Sequence, residues 1–246
     1  MPGSQQPKMP AALHSLLDLP PRFDDPGTGT QLWLIDTDAH AAAVGAAEDL
    51  LSADERLRAA GLRHAPRRAG YILARAVLRN WLSARDRKHR QPRDWVLDTA
   101  TRGKPRLPSD APARDFSVSY SGELAALAIS TGARIGVDLE AHREEDFSGV
   151  SRRFLHPDEC AALPAASAPD HAARFLRYWT IKEAVSKSMG LGFGLPFTAM
   201  AARLDPPALV AWPPEHAALA QTRLLTETVI TLSGPYYLAL AITPEA

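Results

Sequence analysis

The 246-residue chain reads as an α+β protein of two similar α+β halves related by a pseudo-twofold. Three observations lead there. Four pairs of segments recur in the same order. Leu34-Ile35-Asp36-Thr37-Asp38 returns as Gly136-Val137-Asp138-Leu139-Glu140, and Leu51-Ser52-Ala53-Asp54-Glu55 as Leu155-His156-Pro157-Asp158-Glu159. Ala74–Arg79 returns as Lys182–Lys187. Ser121-Gly122 followed by Ala126–Ile129 returns as Ser233-Gly234 followed by Ala239–Ile242. The offsets, 102, 104, 108 and about 112, grow steadily, as small loop insertions make them. One such pair is what chance gives in an alanine-rich chain; four in one order are not. The second observation is a helical period in Ile72, Leu73, Ala76, Val77 and Trp81, within a segment from Ser52 to Leu82. The third is a hairpin pattern, Phe116 to Tyr120 and Leu124 to Ile129 around Ser121-Gly122.

Taken in order, residues 1–30 carry six prolines and read as a proline-rich, loose or wrapping segment outside the core. Residues 31–130 form the N-terminal α+β half, and 131–246 the C-terminal half with the acidic motifs. Ser52 and His156 each precede a helix with acidic residues in its first turn. Gly190 and Gly192 end the second long helix.

Composition narrows the function. Lys plus Arg and Asp plus Glu number 28 each, so no net charge draws the chain to nucleic acid or membranes. No apolar run reaches a membrane span, and the apolar patch Ala11–Leu19 lacks a basic lead. One cysteine, Cys160, fits a reducing compartment, so a cytoplasmic location is expected. The eight histidines show no ligand spacing, which argues against zinc, and no P-loop or nucleophile elbow is present.

The chemistry lies in two motifs. In the strand 136–140, Asp138 and Glu140 stand at i and i+2, on the face opposite Val137 and Leu139. In the helix Trp179-Thr180-Ile181-Lys182-Glu183-Ala184-Val185-Ser186-Lys187, Trp179, Glu183 and Lys187 form one stripe. Three carboxylates and a lysine can converge where strand meets helix, a set that suits a hard divalent cation such as Mg2+. The competing account is an acidic strand end beside a solvated helix face.

The order and spacing of these motifs, about forty residues apart, resemble the phosphopantetheinyl transferases of the Sfp type. The family pairs a G-[IV]-D-[LIV]-E strand with a W-x-x-K-E-A-x-x-K helix, and both stand here without a gap. The resemblance covers roughly residues 31–242 and implies two similar halves with the active site in the cleft between them. It implies transfer of the phosphopantetheine arm of coenzyme A to a serine of an apo carrier protein (acyl, polyketide or peptidyl), releasing adenosine 3',5'-bisphosphate. It implies Mg2+ held by Asp138, Glu140 and Glu183, with Glu183 and Lys187 as the catalytic pair. By position, Arg58 matches a basic residue that reaches the 3'-phosphate. Six other arginines share its segment (56, 63, 67, 68, 75 and 79), most of them expected on a solvated face.

Arg102-Gly103-Lys104-Pro105 resembles the family's G-K-P element and puts Lys104 beside the nucleotide. Phe116-Ser117-Val118-Ser119-Tyr120-Ser121 resembles F-[NS]-[LIV]-S-H-S, placing Ser119 and Tyr120 at the coenzyme. Here the family's histidine is Tyr120, which donates a hydrogen bond but carries no positive charge. Lys182 lies off the helix stripe, either beside phosphate or on the surface. Phe147, Val150, Phe154 and Leu155 read as core in preference to a carrier-docking surface. Two alternatives stand beside this reading: a non-catalytic carrier-binding relative with an impaired coenzyme site, and another magnesium-dependent phosphoryl enzyme. A duplicated chain builds the cleft within one molecule, so a monomer is expected.

Overall fold

The computed structural model describes residues 9–97 and 104–244. The first part of the chain forms α1 (Ala11–Leu17), β1 (Phe23–Asp25), β2 (Thr30–Asp36), α2 (Val44–Glu48), α3 (Ala53–Ala60), α4 (Ala65–Arg85), β3 (Asp115–Ser121) and β4 (Leu124–Ser130). The second forms β5 (Ala133–Ala141), α5 (Ser148–Phe154), α6 (Pro157–Ala162), α7 (His171–Met189), β6 (Ala201–Leu204), β7 (Pro207–Ala211), β8 (Arg223–Thr231) and β9 (Gly234–Pro244). The architecture is α+β, with antiparallel sheets. One sheet has the order β1-β2-β4-β3, another β5-β9-β8, and β6-β7 is a separate hairpin.

Three apolar clusters stack through the molecule. Trp33, Ile35, Phe116 and Leu127 of the first sheet meet Leu73, Leu78 and Leu82 of α4. Leu32, Leu124 and Ala126 on its other face meet Val137, Leu139, Leu238 and Leu240 of the second sheet. Tyr237, Ala239 and Ala241 on that sheet's far face meet Phe175, Ile181 and Val185 of α7. Both sheets are therefore apolar on both faces, which is why β4 is buried at every position and does not alternate cleanly.

Local sequence explains several boundaries. The segment 52–82 is two helices, not one. α3 opens with a capping box, Glu55 N donating to Ser52 Oγ (3.3 Å) and Ser52 N to Glu55 Oε2 (3.3 Å). It stops at Gly61, and α4 restarts with Pro66 in its first turn. Residues 11–25 are less loose than their prolines suggest. Leu13 and Leu16, at helical i,i+3 spacing, are buried in the first cluster, and β1 pairs with β2.

The two sheets meet at β3 and β5 through side chains. Alternate residues of β3 accept from the edge N–H groups of β5: Asp115 Oδ2 from Ile135 (2.9 Å), Ser117 Oγ from Val137 (3.0 Å) and Ser121 Oγ from Ala141 (2.8 Å). Three N–H groups on the edge of β5 are thus satisfied without a ladder.

On its other side β5 presses against α7. A Cβ built on Gly136 would lie 1.9 Å from Ala184 O and 2.5 Å from Ser188 N. Both obstacles are helix backbone, which cannot swing aside. Gly136→Ala is expected to lower unfolding free energy by about 3 kcal/mol, the upper range for overpacking. Urea unfolding checks this; a loss under about 0.5 kcal/mol contradicts the close approach.

Candidate active site

Strand pleat and helix pitch bring the acidic residues together. On β5, Val137 and Leu139 go to the inter-sheet core, leaving Asp138 and Glu140 on the α7 side. On α7, Glu183 and Lys187 lie one turn apart on the facing stripe. Asp138 is only 4% exposed. Its Oδ1 accepts from Lys187 Nζ (2.6 Å) and Ser119 Oγ (2.9 Å), whereas Oδ2 is buried without a hydrogen bond among the described residues. Lys187 Nζ also donates to Val137 O (3.1 Å) and Ser119 Oγ (3.2 Å). Ser119, in the same row as Asp115, Ser117 and Ser121, thus lies beneath the acidic cluster and orients Asp138. Glu140 accepts from Arg143 Nη1 at 2.9 Å.

The electrostatics record crowding. Burial, and then the Asp138 charge, raise Glu140 above the usual carboxylate range. Burial pushes Glu183 up to about 7, with Asp138 and Glu140 adding to the rise and Lys187 opposing it. Among the described residues, no three His, Cys, Asp or Glu side chains are grouped closely enough to hold a metal as they stand. Arg143 and Lys187 occupy the carboxylate oxygens instead. The donor set still fits a hard cation: three carboxylates, two of them raised by mutual charge and burial, and one buried oxygen with no partner.

Glu183 and Lys187 of the cluster line a 320 Å³ cleft. Glu183, Lys187 and Gly190 form one wall, Phe116, Ser117, Val118 and Tyr120 of β3 line it, and Arg58, Arg67, Tyr71 and Arg75 form the opposite wall. Arg58 is solvent-exposed at the mouth, its guanidinium 5.9 Å from the Tyr71 ring centroid. Tyr120 is partly buried, its phenol pushed up to about 12 by burial, and the Arg67 guanidinium lies 5.2 Å from its ring centroid. Lys104 lines the cleft, but its amine is already engaged by Asp115 and by Ile135 O (2.6 Å). Arg102 and Gly103 of the same element lie outside the described residues.

The structure adds detail to three expectations. Lys182 is neither beside phosphate nor on the surface. It is 0% exposed and donates to Glu159 Oε2 (2.8 Å), Phe197 O (2.8 Å) and Met200 O. Glu159 Oε1 in turn accepts from Ala202 N, so this pair fastens α6 and β6 to α7. Of the seven arginines, five are exposed, but Arg75 and Arg79 are buried against Glu55. Their signal was in the sequence: Tyr71, Arg75 and Arg79 recur every four residues among the apolar positions of α4. Of the four residues read as core in preference to a docking surface, Phe147 and Leu155 are buried, Phe154 packs edge-on against Trp179, and Val150 is exposed.

Comparison with known proteins agrees with this geometry. Residues 134–230 match the 4'-phosphopantetheinyl transferase superfamily. The chain is 32% identical over 185 residues to the 4'-phosphopantetheinyl transferase HetI of Nostoc sp., covering 73% of this chain and 76% of HetI. It is 29% identical over 126 residues to the 4'-phosphopantetheinyl transferase Sfp of Bacillus subtilis, covering 50% of this chain and 55% of Sfp. A further 4'-phosphopantetheinyl transferase of Bacillus subtilis is 30% identical over 102 residues, 42% of this chain and 44% of that protein. The match thus spans about three-quarters of HetI and about half of the two Bacillus proteins. The chain belongs to the 4'-phosphopantetheinyl transferase superfamily.

Because Lys182 and Glu159 are buried as a pair, Lys182→Met leaves an uncompensated carboxylate. A stability loss of about 3–5 kcal/mol is expected by chemical denaturation. Lys187→Met, at the cleft edge, should cost under about half of that; equal losses contradict the assignment of Lys182 as the structural lysine.

Proposed function

We propose that this transferase moves the phosphopantetheine arm of coenzyme A onto a serine of an apo acyl or peptidyl carrier protein, with Asp138, Glu140, Glu183 and Lys187 as its reactive centre. The observation that carries the reading is the convergence of Asp138, Glu183 and Lys187 at one end of a cleft whose opposite wall is rich in arginine. Family membership favours this reading over a carrier-binding relative without activity and over an unrelated phosphoryl enzyme.

The serine oxygen attacks the phosphorus of coenzyme A that bears the pantetheine arm. A new P–O bond forms, the bond to the bridging oxygen breaks, and adenosine 3',5'-bisphosphate leaves. Glu183, raised toward neutrality, accepts the serine proton. Lys187 places its ammonium where the leaving phosphate gains charge. Ser119 holds Asp138 and Lys187 in register. Arg58 and Lys104 meet the nucleotide from the first half, with Tyr120 beside it. Asp138, Glu140 and Glu183 would hold a magnesium ion, which would supply Lewis-acid charge to the pyrophosphate when bound.

The two halves are proposed to be similar units related by a pseudo-twofold, 31–130 and 131–246, preceded by the segment 1–30. The matching strand orders β2-β4-β3 and β5-β9-β8 support that relation. Among the described residues no helix is long and apolar enough to cross a membrane. We place the reaction in the cytoplasm, on a monomer, with no nucleic-acid or membrane partner.

Intact-mass measurement after incubation with coenzyme A, Mg2+ and apo carrier proteins should show one phosphopantetheine added to the carrier. Asp138→Asn should lower turnover about 100- to 1000-fold while remaining folded by circular dichroism. Carriers of several classes left unmodified by the folded wild type defeat the proposal. Full activity in Asp138→Asn removes Asp138 from the centre.

A further inference from the structure

The mechanism above gives Glu140 a task but no means of being aimed. Asp138 lies within β5 and is fixed by Ser119 and Lys187. Glu140 stands at the end of that strand, one residue before its last, Ala141. Its carboxylate accepts from Arg143 Nη1 at 2.9 Å and from the side chain of Trp179, whose indole N–H is its single donor. These two partners respond differently to a cation. The Arg143 guanidinium carries positive charge and competes with a metal for the carboxylate, and with a side chain 40% exposed it can turn to water. The indole is neutral, so it can keep one carboxylate oxygen while a cation takes the other.

Aromatic rings hold that indole in place. On α7, Phe175, Trp179 and Glu183 follow one another at four-residue spacing, on one face. Phe175 stacks on Trp179, with centroids 6.0 Å apart and planes at 22°. Phe154 of α5 meets the indole edge-on at 5.6 Å, and Phe197 does so at 6.0 Å. Those two rings also meet each other edge-on at 6.5 Å. Beyond Phe175 the stack continues to Phe147 at 4.3 Å, and the Arg143 guanidinium lies 5.2 Å from the Phe147 centroid. Stacked and edge-on pairs are the favoured arrangements of such rings, and close packing leaves a large ring little freedom to turn. Residues from three stretches of chain thus converge on a single N–H group. Phenylalanine would fill the same cage; what tryptophan adds is the donor, and that donor meets a carboxylate.

We propose that Trp179 is a positioning residue, whose caged indole N–H turns the Glu140 carboxylate toward Asp138 and Glu183 so that the three can share one divalent cation. This rests on the transferase reading, in which those carboxylates hold magnesium. Trp179 touches neither coenzyme nor carrier in this account and acts through Glu140. Donors that orient a ligating carboxylate typically contribute 10- to 100-fold to metal affinity, roughly, when they are removed singly. The rings of Phe154, Phe175 and Phe197 then have a second task beside filling the core, because they fix the direction of that donor.

The test is Mn2+ binding to the full chain without carrier, read from the paramagnetic resonance signal of the free ion. Trp179→Phe, which keeps a ring and removes the N–H, should weaken Mn2+ about tenfold. In a Glu140→Ala background the same substitution should change affinity by less than about twofold, since the donor has lost its acceptor. A residue that only fills the core gives no effect on Mn2+, or the same effect with and without Glu140, and either result overturns the proposal. If Trp179→Phe does not fold, the assigned Trp179 indole resonance of the 15N-labelled wild type decides. It should shift on addition of Mg2+ and cease to do so in Glu140→Ala; an indole that ignores Mg2+, or still responds without Glu140, overturns the proposal. A wild type that modifies a carrier, with Mn2+ affinity unchanged in folded Trp179→Phe, overturns the positioning role alone. A folded wild type that neither binds Mn2+ nor modifies a carrier overturns the transferase reading beneath it.

Discussion

The contact of β5 with α7 at Gly136 sets the geometry of everything functional in this chain. No side chain fits between that residue and the backbone of Ala184 and Ser188. With the strand so close, the next two residues on the same face, Asp138 and Glu140, must meet the helix face that carries Glu183 and Lys187. The opposite edge of β5 is fixed just as firmly. Asp115, Ser117 and Ser121 take its N–H groups, while Lys104 and Lys187 take the carbonyls of Ile135 and Val137. A seam of side-chain bonds holds the sheets in register where a ladder would have merged them. Ser119 shares that row and turns its hydroxyl to Asp138.

Charge is segregated along the cleft that results. One end concentrates carboxylates, where burial and then mutual repulsion hold Glu140 and Glu183 above their ordinary range. The other concentrates arginine, with Glu55 as the one acidic counterweight. Lys182 and Glu159 are not part of this polarity. They are a sealed ion pair whose work is to hold α6, the 197–200 turn and β6 against α7.

Much of this was legible in the sequence because it rests on local periodicity. The i,i+2 carboxylates of 138 and 140 and the four-residue stripe of 179, 183 and 187 specify faces directly, and the structure turns those faces together. The capping residues Ser52 and Glu55 marked a helix start correctly. What escaped depends on partners distant in sequence. Nothing local distinguishes Lys182, buried on Glu159, from a solvated lysine, or Arg75 from its exposed neighbours, except its place on an apolar stripe. Leu13 and Leu16 were hidden behind prolines that suggested a loose tail. The β6-β7 hairpin, where β7 is only partly buried, carries too weak an alternation to announce itself.

Crystals grown with coenzyme A and Mn2+, a scattering stand-in for Mg2+, test the central claim most directly. The account predicts anomalous density among Asp138, Glu140 and Glu183, with Arg143 and Lys187 moved off the carboxylates and the pyrophosphate beside Lys187. Manganese bound away from Asp138 and Glu183, or a nucleotide lying outside the cleft between α4 and α7, contradicts it.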